Sequence, residues 1–206
     1  MRHLRRPSQF IGLDRVARPS PPTPLQFYNF PIVVAPVDSA HGNRVFDDDP
    51  RRYLGHSGGV SSEWRRILVT DTISTIVQFR AIDYGMETCE LHVDLPSQQT
   101  NSTSYPGHSI SISLYRIDAS FPVDTKTLSY DTRPARLFKI DDITMVVGNV
   151  YHWHHKFLCA SEEVLSFELI RASFDSDYDC HVEWWQDRDG TGDGPGMPLC
   201  SKPKIF

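Results

Sequence analysis

Apolar and polar positions alternate with a period of two through most of this chain, most densely between Val150 and Asp187. Successive side chains of a strand point to opposite faces, so odd and even positions are read separately. Tyr151, Trp153, His155, Phe157 and Cys159 share one parity; His152, His154 and Lys156 share the other. Next come Leu165, Phe167 and Leu169 against Ser166 and Glu168, then Cys180, Val182 and Trp184 against His181, Glu183 and Trp185. Each run offers an apolar face and a mostly polar one, which predicts an antiparallel sheet with one wet side. Ser- and Asp-rich turns at 160–163 and 173–179 join the three runs.

The same alternation recurs upstream. Ile73, Thr75, Val77 and Phe79 alternate with Ser74, Gln78 and Arg80, and Cys89, Leu91, Val93 and Leu95 with Glu90, His92 and Asp94. Ile110, Ile112 and Leu114 alternate with Ser111 and Ser113. Phe30–Val34 reads as a first strand, which Pro36 limits to an edge or an end. Leu137–Ile140 and Ile143–Val147 are weaker strands, the second stopped by the turn pair Gly148-Asn149. His41 to Gly59 reads as loop, and only Glu63–Leu68 admits a turn of helix. Eight or nine short strands with turn-rich joints predict an all-β fold, an antiparallel β-sandwich of jelly-roll-like form over residues 27–206. Residues 1–26 read as a disordered, basic Arg/Pro-rich tail, because Pro19, Pro21, Pro22 and Pro24 end any helix.

Composition narrows the function classes. The 206 residues suit one domain. A net charge of −5 gives no footing for nucleic acid, and no run approaches the ~18 apolar residues of a membrane span. A secretory signal needs roughly seven or more apolar residues in its central region, whereas Phe10–Leu13 offers a short run flanked by arginines. The basic start also fits an organellar presequence or a truncated beginning, so an intracellular location stays open.

The chemistry-bearing residues are few. Cys89, Cys159, Cys180 and Cys200 form an even set with three possible pairings. Cys89 and Cys159 lie on apolar parities, which makes a buried bridge between them plausible, and a Cys180–Cys200 bridge would pin the Gly-rich end; four reduced, buried thiols are the alternative. Asn101-Ser102-Thr103 is a glycosylation acceptor triplet, and with paired cysteines it points toward an oxidising compartment. His152 and His154 project from one face of a strand, a two-ligand grip for zinc or copper if His181, Glu183 or a neighbouring strand adds a third; a polar outer face is the simpler reading. Asp187, Asp189 and Asp193 alternate among glycines as calcium ligands can, although the spacing fits no full EF-hand loop and solvated carboxylates are the simpler reading. No cofactor is therefore expected. Trp184 and Trp185 point to opposite faces, and the one left exposed is a candidate for stacking on sugars or partners. With no nucleophile elbow, phosphate-cradling loop or His-Glu-x-x-His, the chain reads as a binding or structural module rather than an enzyme.

A series of short motifs resembles one family in the same order. Pro31-Ile32-Val33-Val34-Ala35-Pro36-Val37-Asp38-Ser39 resembles the opening of fungal But-two C-terminal domains, and Thr75–Phe79 their following strand. Thr88-Cys89-Glu90-Leu91 with Leu95-Pro96 looks like their Cys strand, and Phe157–Ala160 with Phe167-Glu168-Leu169 like their paired strands. Val182–Asp187 and Pro198-Leu199-Cys200 are similar to the closing strand and last Cys. Ala160 stands where the family usually has Pro, and the family's signal peptide is not visible. The resemblance implies a small disulfide-bearing β-sandwich, in many members secreted or associated with the fungal cell wall, with no established catalytic residues. It leaves three functions to separate. The first is a non-catalytic secreted or cell-surface module contacting glycan or cell-wall polymer. The second is an intracellular adaptor for the activating enzyme of a ubiquitin-like modifier. The third is a metal-binding protein or metalloenzyme using His152 and His154.

Overall fold

A computed structural model of the chain describes residues 11, 12, 15, 17, 29–47, 53–55, 58–60, 65–81, 88–95, 109–146, 151–172, 182–186 and 204–205. Residues 53–55, 58–60, 65, 94, 95, 109, 110, 145, 146, 184–186, 204 and 205 are described by backbone alone. Every regular element extending beyond a single turn among them is a strand, and all the pairings are antiparallel. No helix among them is long and apolar enough to cross a membrane.

The strands are β1 (Val33–Asp38), β2 (Tyr53–Gly55), β3 (Gly58–Val60), β4 (Arg65–Val69), β5 (Ile73–Arg80), β6 (Thr88–Leu95), β7 (Ser109–Ile117), β8 (Arg136–Val146), β9 (Tyr151–Leu158), β10 (Val164–Arg171), β11 (Val182–Gln186) and β12 (Lys204–Ile205). A five-stranded sheet runs β1-β5-β10-β7-β8, beside a three-stranded sheet β12-β6-β9 and the pairs β11-β4 and β2-β3. The proline-bearing β1 sits on an edge, where the missing N–H breaks no ladder.

The main core lies between the five-stranded sheet and the strands facing it. Val77, Phe79, Ile112, Leu114, Leu165, Phe167 and Leu169 come from the first layer; Ile67, Val69, Cys89, Leu91, Val93 and Val182 come from the second. These are the apolar parities that the alternation marks, packed face to face as a sandwich requires. Phe167 meets Phe79 and Phe157 edge to face, at ring separations of 6.2 and 6.0 Å.

The opposite parity departs from expectation. Ser74, Gln78, Ser166 and Glu168 lie on the face predicted to be wet, yet each is buried. Residues 118–135 fold back across this side of the sheet and build a second core, in which Ile117 and Leu128 join Ala35, Val37 and Ile76. The polar side chains hold that segment down. Gln78 Nε2 donates to the Phe121 carbonyl and to Ser166 Oγ, each at 2.9 Å, while its Oε1 accepts from the Val123 N–H at 2.9 Å. Ser166 Oγ donates in turn to the Ala119 carbonyl at 3.0 Å. The polar stripe is thus a template for an irregular segment whose backbone would otherwise be buried without partners.

Three local expectations are corrected. Glu63–Leu68 contains the start of β4 rather than a helical turn: β4 pairs with β11, and the Leu68 N–H and carbonyl are both bonded by Thr75 Oγ1, at 3.1 and 2.6 Å. The 41–59 stretch is not all loop, because β2 and β3 form a small hairpin there. The two weak strands around Asp141 are one strand, β8. Register slips beside Leu114 and Arg116 leave Ile140 and Leu137 as extra residues, and such bulges blunt an edge that could recruit another chain.

Candidate functional site

The densest chemistry lies on β6 and β9, which pair along their full lengths from Thr88↔Leu158 to Leu95↔Tyr151. Because directly opposed residues share a face, the register sets His92 against His154, Glu90 against Lys156 and Asp94 against His152. The His92 and His154 rings stand 5.7 Å apart and 24° from parallel. Glu90 Oε1 is 3.6 Å from His92 Nε2 and 3.8 Å from His154 Nε2, and its other oxygen is 3.6 Å from Lys156 Nζ. Glu90 and His92 are largely shielded, at 17% and 18% side-chain exposure, whereas His154 is 64% exposed. His152 and His154 do share one face, as their spacing requires, and both are exposed. In the geometry seen, no three His, Cys, Asp or Glu side chains among the described residues enclose a metal ion. Of the third ligands the sequence offered, Glu183 accepts from Nε and Nη2 of Arg66, at 2.8 and 3.1 Å, and His181 lies outside the described residues.

The other face of β6 turns into the core, while that of β9 is half-buried, with His155 exposed. Cys89 and Cys159 are joined by a disulfide with Cα atoms 5.8 Å apart, both within the main core. Along β9, Trp153, His155 and Phe157 form a ladder of near-parallel rings 6.0 and 6.2 Å apart. The Trp153 indole N–H donates to Asp141 of β8 at 2.9 Å, tying the two sheets along one flank. Beside it, burial and the Asp141 charge push the Tyr151 phenol up.

The remaining candidates divide plainly. Trp184 and Trp185 lie on β11 opposite Ile67 and Arg66 in register. Asn101, Cys180, Cys200, Asp187, Asp189 and Asp193 lie outside the described residues.

Two groups carry more of the structure than sequence reasoning assigned them. Glu168, fully buried, accepts from Ser74 Oγ at 2.7 Å and from Arg136 Nε and Nη2 at 2.7 and 3.0 Å, with Arg133 Nε 3.6 Å away. This bidentate contact pushes the Arg136 guanidinium pKa further up. The only sequence signal is a glutamate flanked by core residues, Phe167-Glu168-Leu169. At the other end of the sheet, Asp38 closes the turn after β1, accepting from the Ala40 N–H at 3.0 Å and from His41 Nδ1 at 2.9 Å. Burial alone would raise its carboxyl, but these hydrogen bonds and the charges of His41 and Arg44 outweigh it and hold the pKa below the usual carboxylate value. Hydrogen bonds from Lys139 and Ser113 lower Asp142 likewise. A depressed folded-state pKa adds stability that is complete above the unfolded value and lost as pH falls through the folded one. The urea midpoint is therefore expected to drop below about pH 4, with a shallower drop in Asp38→Asn; an identical acid profile for that variant would remove Asp38 as a source.

A search of curated proteins found no match to this chain. The family model described as Ubiquitin 3 binding protein But2 C-terminal domain matches residues 29–189, which spans the strands from β1 through β11 and stops short of Cys200. With most of its length matched by that model, the chain belongs to the But2 C-terminal domain family.

Proposed function

We infer that this protein is a non-catalytic β-sandwich module working outside the cytosol, secreted or at the cell surface, where it binds or organises glycan or wall polymer. The observation that carries the reading is the Cys89–Cys159 bridge within the core. Structural disulfides form and persist in oxidising compartments and are rare where glutathione and thioredoxin keep thiols reduced. The acceptor triplet at Asn101 supports the same compartment. A second reading rests on a different observation: the matched family's description names a ubiquitin-binding protein. That supports an intracellular adaptor for a ubiquitin-like pathway, which would keep its cysteines reduced.

The two readings part on one measurement, the intact mass of protein from its native source after thiol alkylation, with and without reductant. An oxidised Cys89–Cys159 pair and a glycan on Asn101 are expected. Four alkylatable thiols on an unglycosylated chain would overturn the extracellular reading and direct the search to protein partners.

A further inference from the structure

We propose that Glu90, His92 and His154 form a binding site for a divalent transition-metal ion, zinc or copper(II). Two imidazole nitrogens on neighbouring strands approach the same carboxylate oxygen, at 3.6 and 3.8 Å. Metal–ligand bonds of about 2.0–2.1 Å in a tetrahedral shell place neighbouring donors roughly 3.3 Å apart. The two measured separations therefore exceed the requirement by about half an ångström or less. The three side chains do not enclose an ion as they stand. The larger gap closes by a tilt of His154, which is 64% exposed and can move without disturbing the core, and the smaller one by a slight rotation of the Glu90 carboxylate toward His92.

Strand geometry also selects which histidines take part. His152 stands opposite Asp94, two same-face steps or about 13 Å along the strands from the level of Glu90, whereas His154 is one step away. Directly opposed residues on antiparallel strands have Cβ atoms only about 4.5–5.5 Å apart, which suits two imidazoles sharing one ion. The register makes that opposed pair His92 and His154. Glu90, two residues before His92, lies on the same face and completes a two-His, one-carboxylate set with an open position for water. Lys156 does not occupy the relevant oxygen: it approaches Oε2, whereas both imidazoles approach Oε1. At 67% exposure its ammonium can turn to solvent when an ion enters. The result is a metal centre on the outer face of β6 and β9, separate from the buried disulfide on the inner face.

The test titrates the full chain, stripped with chelator, with zinc chloride and separately with copper(II) chloride by calorimetry at about pH 7.5, where imidazole is mostly neutral. One ion per chain is expected, and His154→Gln should weaken binding about tenfold or more, at least the loss caused by outer-shell changes. His92→Gln and Glu90→Gln should weaken it too, while His152→Gln should leave it within about twofold, since it supplies no ligand. Because His92 is shielded and its variant can lose the fold, the exposed His154→Gln carries the decision, with melting temperature as its folding check. The copper(II) resonance spectrum of the parent should carry splitting from two nitrogens. Absence of saturable binding below about 1 mM, a spectrum without two nitrogens, or loss in His152→Gln but not in His154→Gln would overturn the assignment.

Discussion

Glu168→Ala is expected to destabilise the fold by about 3–5 kcal/mol, the range found when one partner of a buried ion pair is removed. The carboxylate is fully buried and takes the Arg136 fork, the Ser74 hydroxyl and the near approach of Arg133. Without it, Ser74 loses its acceptor, and two guanidiniums at 20% and 31% exposure face a hole in the sheet surface. Partial access of the arginines to water places the loss toward the lower end of that range. For a chain of this length each kcal/mol lowers the melting temperature by roughly 2–4 °C, so a drop of about 10 °C should be seen. The control is Glu183→Ala, which breaks another bidentate Arg–Glu contact, this time to the 47%-exposed Arg66. An ion pair with a solvated partner contributes about 0–1 kcal/mol. Hydrogen exchange supplies a second readout. The Val123 amide, bonded to Gln78, should lose protection in Glu168→Ala because the same segment is tethered at both points. Equal, sub-kcal effects from Glu168→Ala and Glu183→Ala would show that the buried carboxylate does not anchor the covering segment.

That network explains where sequence reading succeeds and where it stops. The period of two identifies β5, β6, β7 and β10 because their apolar parities face one continuous core. It misreads the other parity because Ser, Gln and Glu look alike whether they meet water or a folded-back segment. Residues 118–135 carry Phe121, Val123, Leu128 and Tyr130 at no regular spacing, so nothing local announces that they cover a sheet. Trp64, Ile67 and Leu68 stand at i, i+3 and i+4 and imitate one helical turn, and only the pairing with β11, more than a hundred residues away, resolves them as β4. The same limit hides the Glu90–His92–His154 cluster. Both strands are legible, but no short hairpin joins β6 to β9, so no turn length fixes their register. The conspicuous histidines of β9 are thus visible in sequence, while the partners that give them chemistry are not.

Removing the disulfide should weaken the protein by a similar amount through a different route. The bridge spans a sequence separation of 70 residues, and closing a loop of that size restricts the unfolded chain by about 4 kcal/mol in the loop-entropy account. The stretch it encloses runs from β6 through β7 and β8 to the end of β9, while the cross-link itself joins neighbouring strands of one sheet. Cys89→Ala/Cys159→Ala adds a smaller loss, because both sulfurs lie in the packed core and alanine leaves part of their volume unfilled. Urea unfolding of oxidised, reduced and double-variant protein separates the two effects. Reduction should lower the midpoint and steepen the transition, since an unlinked denatured chain exposes more surface. The double variant should fall slightly below the reduced protein. A loss under about 1 kcal/mol on reduction would mean that the core holds without the cross-link, and the fold would then serve equally well in a reducing compartment. The full loss would make the oxidised pair a requirement for marginal stability, since a domain typically has only about 5–15 kcal/mol in total.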